Sequence, residues 1–235
     1  TAVSLGPVIG SRVRQTRTGD GLLSFDRDYL SRQRDLFQAG DEAVARQVAV
    51  AIRRAETALS RGGRLSVVDK KAVPPSGDRH DYMTIAPFWW PDPKDPDGPH
   101  LHYRDGVRIP AMQVGHPDSF KYDVTTSRYL FDDLASLSLA SFFTGDARFA
   151  QQAQRVIRTW FIDPDTRMNP HLRFAQVRLG QNENRGTPFG VIEFREIHHI
   201  LDSVRLLDLD GDTQQGLRRW LGEDLTWLRE SRQGR

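Results

Sequence analysis

Eight prolines, at positions 74, 75, 87, 91, 93, 96, 99 and 110, fall between Arg64 and Met112 and bar a helix from about a fifth of the chain. A stretch this long without helical period is unusual inside a compact domain and tends to carry function. It holds Ser76 to Pro93, where Asp78, Arg79, His80, Asp81 and Tyr82 are consecutive and Phe88-Trp89-Trp90 precede the prolines. Beyond it, Asp92 to Ile109 is rich in turn residues, with Tyr103-Arg104-Asp105-Gly106 near its end, and reads as a lid or cleft-lining loop.

Helical period frames this stretch on both sides. Residues 1–25 read as an irregular lead-in and 26–235 as one domain. A helix is predicted from Asp26 to about Phe37. After Asp41, a natural N-cap, Val44, Val48, Ile52, Ala55 and Leu59 share one face until Gly62-Gly63. The period returns near Thr126 with Tyr129, Leu130, Leu134, Leu137 and Ala140. Gly145-Asp146 then turns the chain into a helix carrying Phe149, Ala153, Val156, Ile157 and Trp160. A second irregular region runs from Asp165 to Gly190. Two further helices are predicted, from about Val191 to Leu209 and from about Asp212 to Ser231. Strand pattern is limited to pieces such as Leu65 to Val68. The class is therefore all-α, three successive antiparallel helix hairpins with long loops, which corresponds to an incomplete α/α toroid.

Composition narrows the chemistry. Cysteine is absent, which excludes disulfides, zinc-thiolate sites and a cysteine nucleophile. No run of about 18 apolar residues spans a bilayer, and no leader pattern begins the chain, so any signal peptide is expected to have been removed. The net charge of +2 argues against bulk attraction to nucleic acid. The 29 arginines against 4 lysines suit a ligand with carboxylates, which a guanidinium grips at two points, although a genomic preference for Arg would give the same count.

Several motifs have two readings. Trp89 and Trp90, adjacent in a proline-flanked loop, cannot both face one core, and an indole offers a flat platform to a sugar ring. His80 and Asp81 are a base with a carboxylate or a surface hydrogen-bond pair, and Tyr82 is a proton donor or a sugar contact. His100 and His102 have no third ligand at a metal-binding spacing, and Asp92, Asp95 and Asp97 are a weak calcium pattern; no metal site is expected. His198 and His199 are expected to diverge on a helix. Asp208 to Asp212 fails the calcium-loop pattern, with Thr213 and Arg219 where Gly and Glu are needed. Arg167, Asn169 and Gln176 are either turn residues or contacts for the carboxylate and hydroxyls of a uronic acid.

Ser76-Gly-Asp-Arg-His-Asp-Tyr-Met-Thr-Ile-Ala-Pro-Phe-Trp-Trp-Pro-Asp-Pro93, Tyr103-Arg-Asp-Gly-Val-Arg108, Thr144-Gly-Asp146, Arg158-Thr-Trp-Phe161, Thr166-Arg-Met-Asn-Pro170 and Trp227-Leu-Arg-Glu-Ser-Arg-Gln-Gly234 together resemble the alginate lyase family, in the family's order, over roughly Leu65 to the C-terminus. The resemblance implies an α/α toroid that cleaves an anionic uronic-acid polysaccharide by β-elimination, with no cofactor, in the periplasm or secreted. It implies substrate contacts at His80, Tyr82, Trp89, Trp90, Tyr103, Arg104, Arg167, Asn169 and Gln176. In the family an Asn-Asn-His-Gly segment and a later Tyr carry the proton chemistry. Both are expected beyond Arg235, so the catalytic residues of this chain are unknown and the chain alone is expected to be inactive or weakly active. The family's usual Asn after the lid Arg is Ile109 here. The alternatives are a non-catalytic uronate-binding module and an α/α-toroid glycoside hydrolase using Asp81 and Glu193.

Overall fold

The computed structural model describes residues 21–62, 65–96 and 100–235, so most of the lead-in, together with Gly63, Arg64, Asp97, Gly98 and Pro99, lies outside the described residues. Among the described residues six α-helices carry the fold: α1 Arg27–Gln38, α2 Glu42–Arg61, α3 Val124–Thr144, α4 Ala147–Phe161, α5 Ile197–Leu206 and α6 Gly211–Glu230. Their ends follow local chemistry. Asp26, Asp41, Asp146 and Asp210 each accept a backbone N–H from the first turn of the helix that follows. Gly62 and Gly145 close α2 and α3 in the left-handed conformation, at φ 75° and 69°. Capping α6 is therefore what Asp210 does in the acidic run before that helix.

Helix α3 is the centre of the molecule. It packs against α2, α4 and α5, while α6 packs on α4. Leu130, Phe131, Leu134, Leu137 and Ala140 of α3 are buried, but so are Thr126, Ser127, Asp133, Ser136 and Ser138. A helix enclosed on several sides must bury its polar positions too, and each is satisfied locally: Ser138 meets Ser203 of α5 at 3.1 Å, and Asp133 pairs with Arg61 of α2. Helix α4 instead has one buried face, with Phe149, Ala153, Val156, Ile157 and Trp160 in the same core as Trp220 of α6. The successive helix hairpins thus pack on one another around α3 and α4, an incomplete α/α toroid.

Three predicted elements differ. Leu65 to Val68 is not a strand: Val67–Asp69 forms a 3-10 turn, because Ser66 accepts from Val68 N–H while the Asp69 carboxylate accepts from Ser66 N–H. The region between Arg64 and Met112 is not structureless, since it contributes β1 Met83–Ile85, β2 Trp89–Pro91 and β3 Leu101–Tyr103. The helix expected over Val191 to Leu209 is split into a 3-10 segment, Pro188–Phe194, and α5. With about three residues per turn, the tighter segment sends Phe194 into the core against Tyr82 and Phe131 and leaves Glu193 facing out of it.

Two short sheets set up the surface beside α3. Strand β1 pairs in parallel with β4, Phe174–Val177, and β2 with β3 as an antiparallel hairpin. Under them lies a fully buried ion pair: Lys70 Nζ is 3.2 Å from Asp123 Oδ2 and also donates to the carbonyls of Val67 and Arg79. Asp123 in turn accepts from Met83 N–H at 2.7 Å, tying the start of β1 to the start of α3. Burial pushes the Asp123 carboxyl up to about 7 despite the ammonium beside it.

Candidate functional site

The β2–β3 hairpin, the end of β4 and the 3-10 segment after Pro188 enclose a cleft of about 640 Å³ over the N-terminal half of α3. In an extended pair successive side chains face opposite ways. Trp89 lies across from Tyr103, and both line the cleft, while the neighbouring pair Trp90 and His102 does not. Trp90 is held on the other face, its Nε1–H donating to Val107 carbonyl at 2.9 Å and its ring under the Arg104 guanidinium at 4.5 Å.

Strand β4 delivers the opposite wall through an irregularity. Between Met83↔Phe174 and Ile85↔Val177 it carries one residue more than β1, and Gln176 has φ 54°. A bulge of this kind re-aims the side chains around it. Val177 packs in a small core with Met83 and Ile85, whereas Gln176 and Arg178 both face the cleft. Close packing pins the bulge, since a Cβ on Gly190 would lie 2.5 Å from the Ala175 carbonyl oxygen.

At the floor, Glu193 Oε2 accepts from Tyr82 Oη and Thr84 Oγ1, both at 2.8 Å, and the Gln176 amide also faces this carboxylate. Burial raises the Glu193 carboxyl against these donors. Burial likewise holds the Tyr82 phenol well above its usual value, reinforced by the nearby Glu193 charge. Tyr82 is fully enclosed, so it reaches the cleft only from beneath.

Four arginines, Arg108, Arg128, Arg178 and Arg195, line the same space. Arg128 and Arg195 pair with Glu196 at 2.7 and 3.4 Å. Arg108 lies over Phe88 and makes a long 3.5 Å contact to Met112 carbonyl, and Arg178 lies over Trp89 at 4.1 Å. Neither has a carboxylate within salt-bridge distance among the described residues. The arrangement suits an anionic ligand with flat apolar faces.

Of the residues predicted from sequence, the structure brings Tyr82, Trp89, Tyr103 and Gln176 to this cleft. His80, Asn169 and Arg167 gather elsewhere: His80 Nδ1–H donates to Arg167 carbonyl at 2.6 Å, and the Asn169 amide donates to Asp78 and Asp81. Asp81 also accepts from Ser76 Oγ at 2.6 Å and lies 3.1 Å from His171 Nε2. Its burial raises the carboxyl, but His171, Asn169 and Ser76 outweigh this and hold it at about 2. Buried Asp224 of α6 is close enough to His171 to feel its charge, and burial pushes its carboxyl to about 6. Among the described residues no cluster of three or more His, Asp or Glu could hold a metal, and His100 and His102 instead face Asp95 and Asp92. His198 and His199 do not diverge as expected; their rings lie 4.3 Å apart because the side chains lean together at the start of α5.

Sequence reasoning missed Arg108, Arg178 and, as a member of an uncharged-to-charged floor network, Glu193. The alternation around β4 could have pointed to Arg178, since it lies two residues after Gln176 on the same side of an extended chain.

The comparisons with known proteins agree with the geometry. The family model described as alginate lyase matches residues 66–235. The crystal structure of an alginate lyase from Bacteroides ovatus is similar at 30% sequence identity and a TM-score of 0.78, over 88% of this chain and 53% of that one. The chain thus spans about half the length of that enzyme. A comparison with curated proteins found no match. No helix among the described residues is long and apolar enough to cross a membrane. By the match over residues 66–235, the chain belongs to the alginate lyase family.

Proposed function

We propose that this chain provides the substrate cleft of a polysaccharide lyase that cleaves alginate or a related uronate polymer by β-elimination, in the periplasm or outside the cell. The observation that carries this reading is the cleft beside α3, where, among the described residues, no carboxylate lies within salt-bridge distance of Arg108 or Arg178 and Phe88, Trp89 and Tyr103 supply aromatic surface. Removing the C5 proton of a uronate is difficult because the adjacent carboxylate is already anionic, so cationic and amide groups must stabilise the developing charge. Arginines with open valences and the Gln176 amide supply groups of that kind. A base must then take the proton and an acid must protonate the departing oxygen.

The second half of that chemistry has no evident carrier in this cleft. Among its described lining residues the ionisable groups are four arginines, Tyr82, Tyr103 and Glu193. Tyr82 is spent as a donor to Glu193 with its phenol held high, and Glu193 Oε2 already accepts from both Tyr82 and Thr84 at the buried floor, so neither is presented to a sugar as a free base. The 235 residues alone are therefore expected to bind oligouronates saturably with little or no turnover. The same observation supports a non-catalytic uronate-binding module. A two-carboxylate hydrolase gains less support, because Asp81 is occupied by His171, Asn169 and Ser76 and does not line the cleft that holds Glu193.

Incubation with alginate and with a glucuronan, followed by ultraviolet absorbance of unsaturated uronate ends and by calorimetric titration of oligouronates, tests the reading. Binding without an absorbance rise is the expected result. A strong rise from this chain alone overturns its inactivity, saturated new ends point to hydrolysis, and absence of oligouronate binding sinks the uronate reading.

A further inference from the structure

We infer that Arg178 is a specificity-determining residue of this cleft, reading the carboxylate of a bound sugar and so selecting acidic over neutral polysaccharide. The inference rests on the uronate reading above and assigns its selectivity to one side chain. Among the four cleft arginines, two are engaged by Glu196, and Arg108 reaches Met112 carbonyl and lies within the field of Glu193. Arg178 is different. Its Nε–H is buried with no hydrogen-bond acceptor, and no carboxylate lies within salt-bridge distance of it among the described residues.

A buried guanidinium N–H without an acceptor is an unfavourable state that a ligand oxygen would relieve. The side-on edge of Arg, Nε with one Nη, matches the two oxygens of a carboxylate. Its orientation is already set. The guanidinium lies 4.1 Å from the Trp89 ring centroid, and Trp89 is braced in turn by Tyr103 at 5.4 Å. The bulge at Gln176, held at φ 54°, sends Gln176 and Arg178 to the cleft with Val177 between them in the core. Non-glycine residues in this region of backbone space persist where surrounding structure imposes them. A neutral sugar in this position would displace water from Arg178 and leave its charge unpaired, so the penalty falls selectively on neutral ligands.

The test is calorimetric titration of the 235-residue chain with a saturated tetrauronate and with the same oligosaccharide after reduction of its carboxylates to primary alcohols. The wild-type chain is expected to prefer the acidic form. Arg178→Gln is expected to lose about 10- to 100-fold in affinity for the tetrauronate, as for a charge-assisted contact, with affinity for the reduced form no lower than in the wild type, because the unpaired charge is gone. Arg178→Lys, which keeps the charge and guards against a folding defect, should retain part of the preference. Arg53→Gln on the exposed side of α2 should retain all of it. If the wild type discriminates and Arg178→Gln discriminates equally, or loses both ligands in proportion, Arg178 only buttresses Trp89 and the inference falls while the uronate reading stands. If the wild type does not discriminate, both fall.

Discussion

Two polar regions flank β1, and they are built on opposite terms. In the cluster of the Ser76–Tyr82 segment with the loop after Pro164, acceptors and donors are matched: Asp81 alone takes up Ser76, Asn169 and His171, and His80 closes on Arg167 carbonyl. In the cleft, Arg108 and Arg178 have no carboxylate within salt-bridge distance among the described residues, and buried Arg178 Nε–H has no acceptor. A satisfied network rigidifies a scaffold, whereas open valences on a rigid frame invite a ligand. The dense ionisable motif is thus a clamp between loops, and binding capacity sits in arginines scattered along the chain.

Breaking the scaffold should cost stability in graded steps. Lys70→Ala leaves the Asp123 carboxylate buried without its ammonium and is expected to destabilise by about 3–5 kcal/mol in urea unfolding. Asp81→Ala removes the acceptor shared by three donors and should cost about 2–3 kcal/mol at pH 7. The folded Asp81 carboxyl sits near 2, below its unfolded value, so its contribution is present above about pH 4 and fades as pH falls towards 2. The wild-type and Asp81→Ala unfolding curves should converge over that window.

Asp224 reverses the sign and gives the smallest effect. Its folded carboxyl, at about 6, lies above the unfolded value, so stability is lost as pH rises from about 4 to 6. Asp224→Asn should therefore stabilise the chain by about 1–2 kcal/mol at pH 8 and leave it unchanged near pH 4, read from midpoints at both pH values. A gain at pH 4 would mean that packing, not charge, separates the two. None of these three changes should alter the preference of the remaining folded protein for acidic over carboxyl-reduced oligosaccharide. A scaffold variant that did so would erase the distinction between clamp and cleft.

The helical frame was legible because its signals are local. Asp41 and Gly62 bracket α2, Gly145-Asp146 joins α3 to α4, and the apolar stripe of α4 turns inward as read. That Trp89 and Trp90 cannot both face one core was also legible from their adjacency, but not which of the two lines the cleft. The pairing of β1 with β4 was not, because it joins residues about ninety apart in a four-residue strand with no turn signal between them. Nor was the break before α5, where the 3-10 segment and the helix have similar apolar content.

By itself, then, the sequence determined the helix hairpins, the long loops beside them and, through motifs matched in order, the alginate lyase family. Tertiary structure alone decided which charges face a ligand. Whether an arginine is a surface ion pair, like Arg148 with Asp146 and Glu56, or an open valence in a cleft, like Arg178, depends on partners brought from distant segments. The charge of a residue is encoded locally, but its neutralisation is a property of the folded neighbourhood.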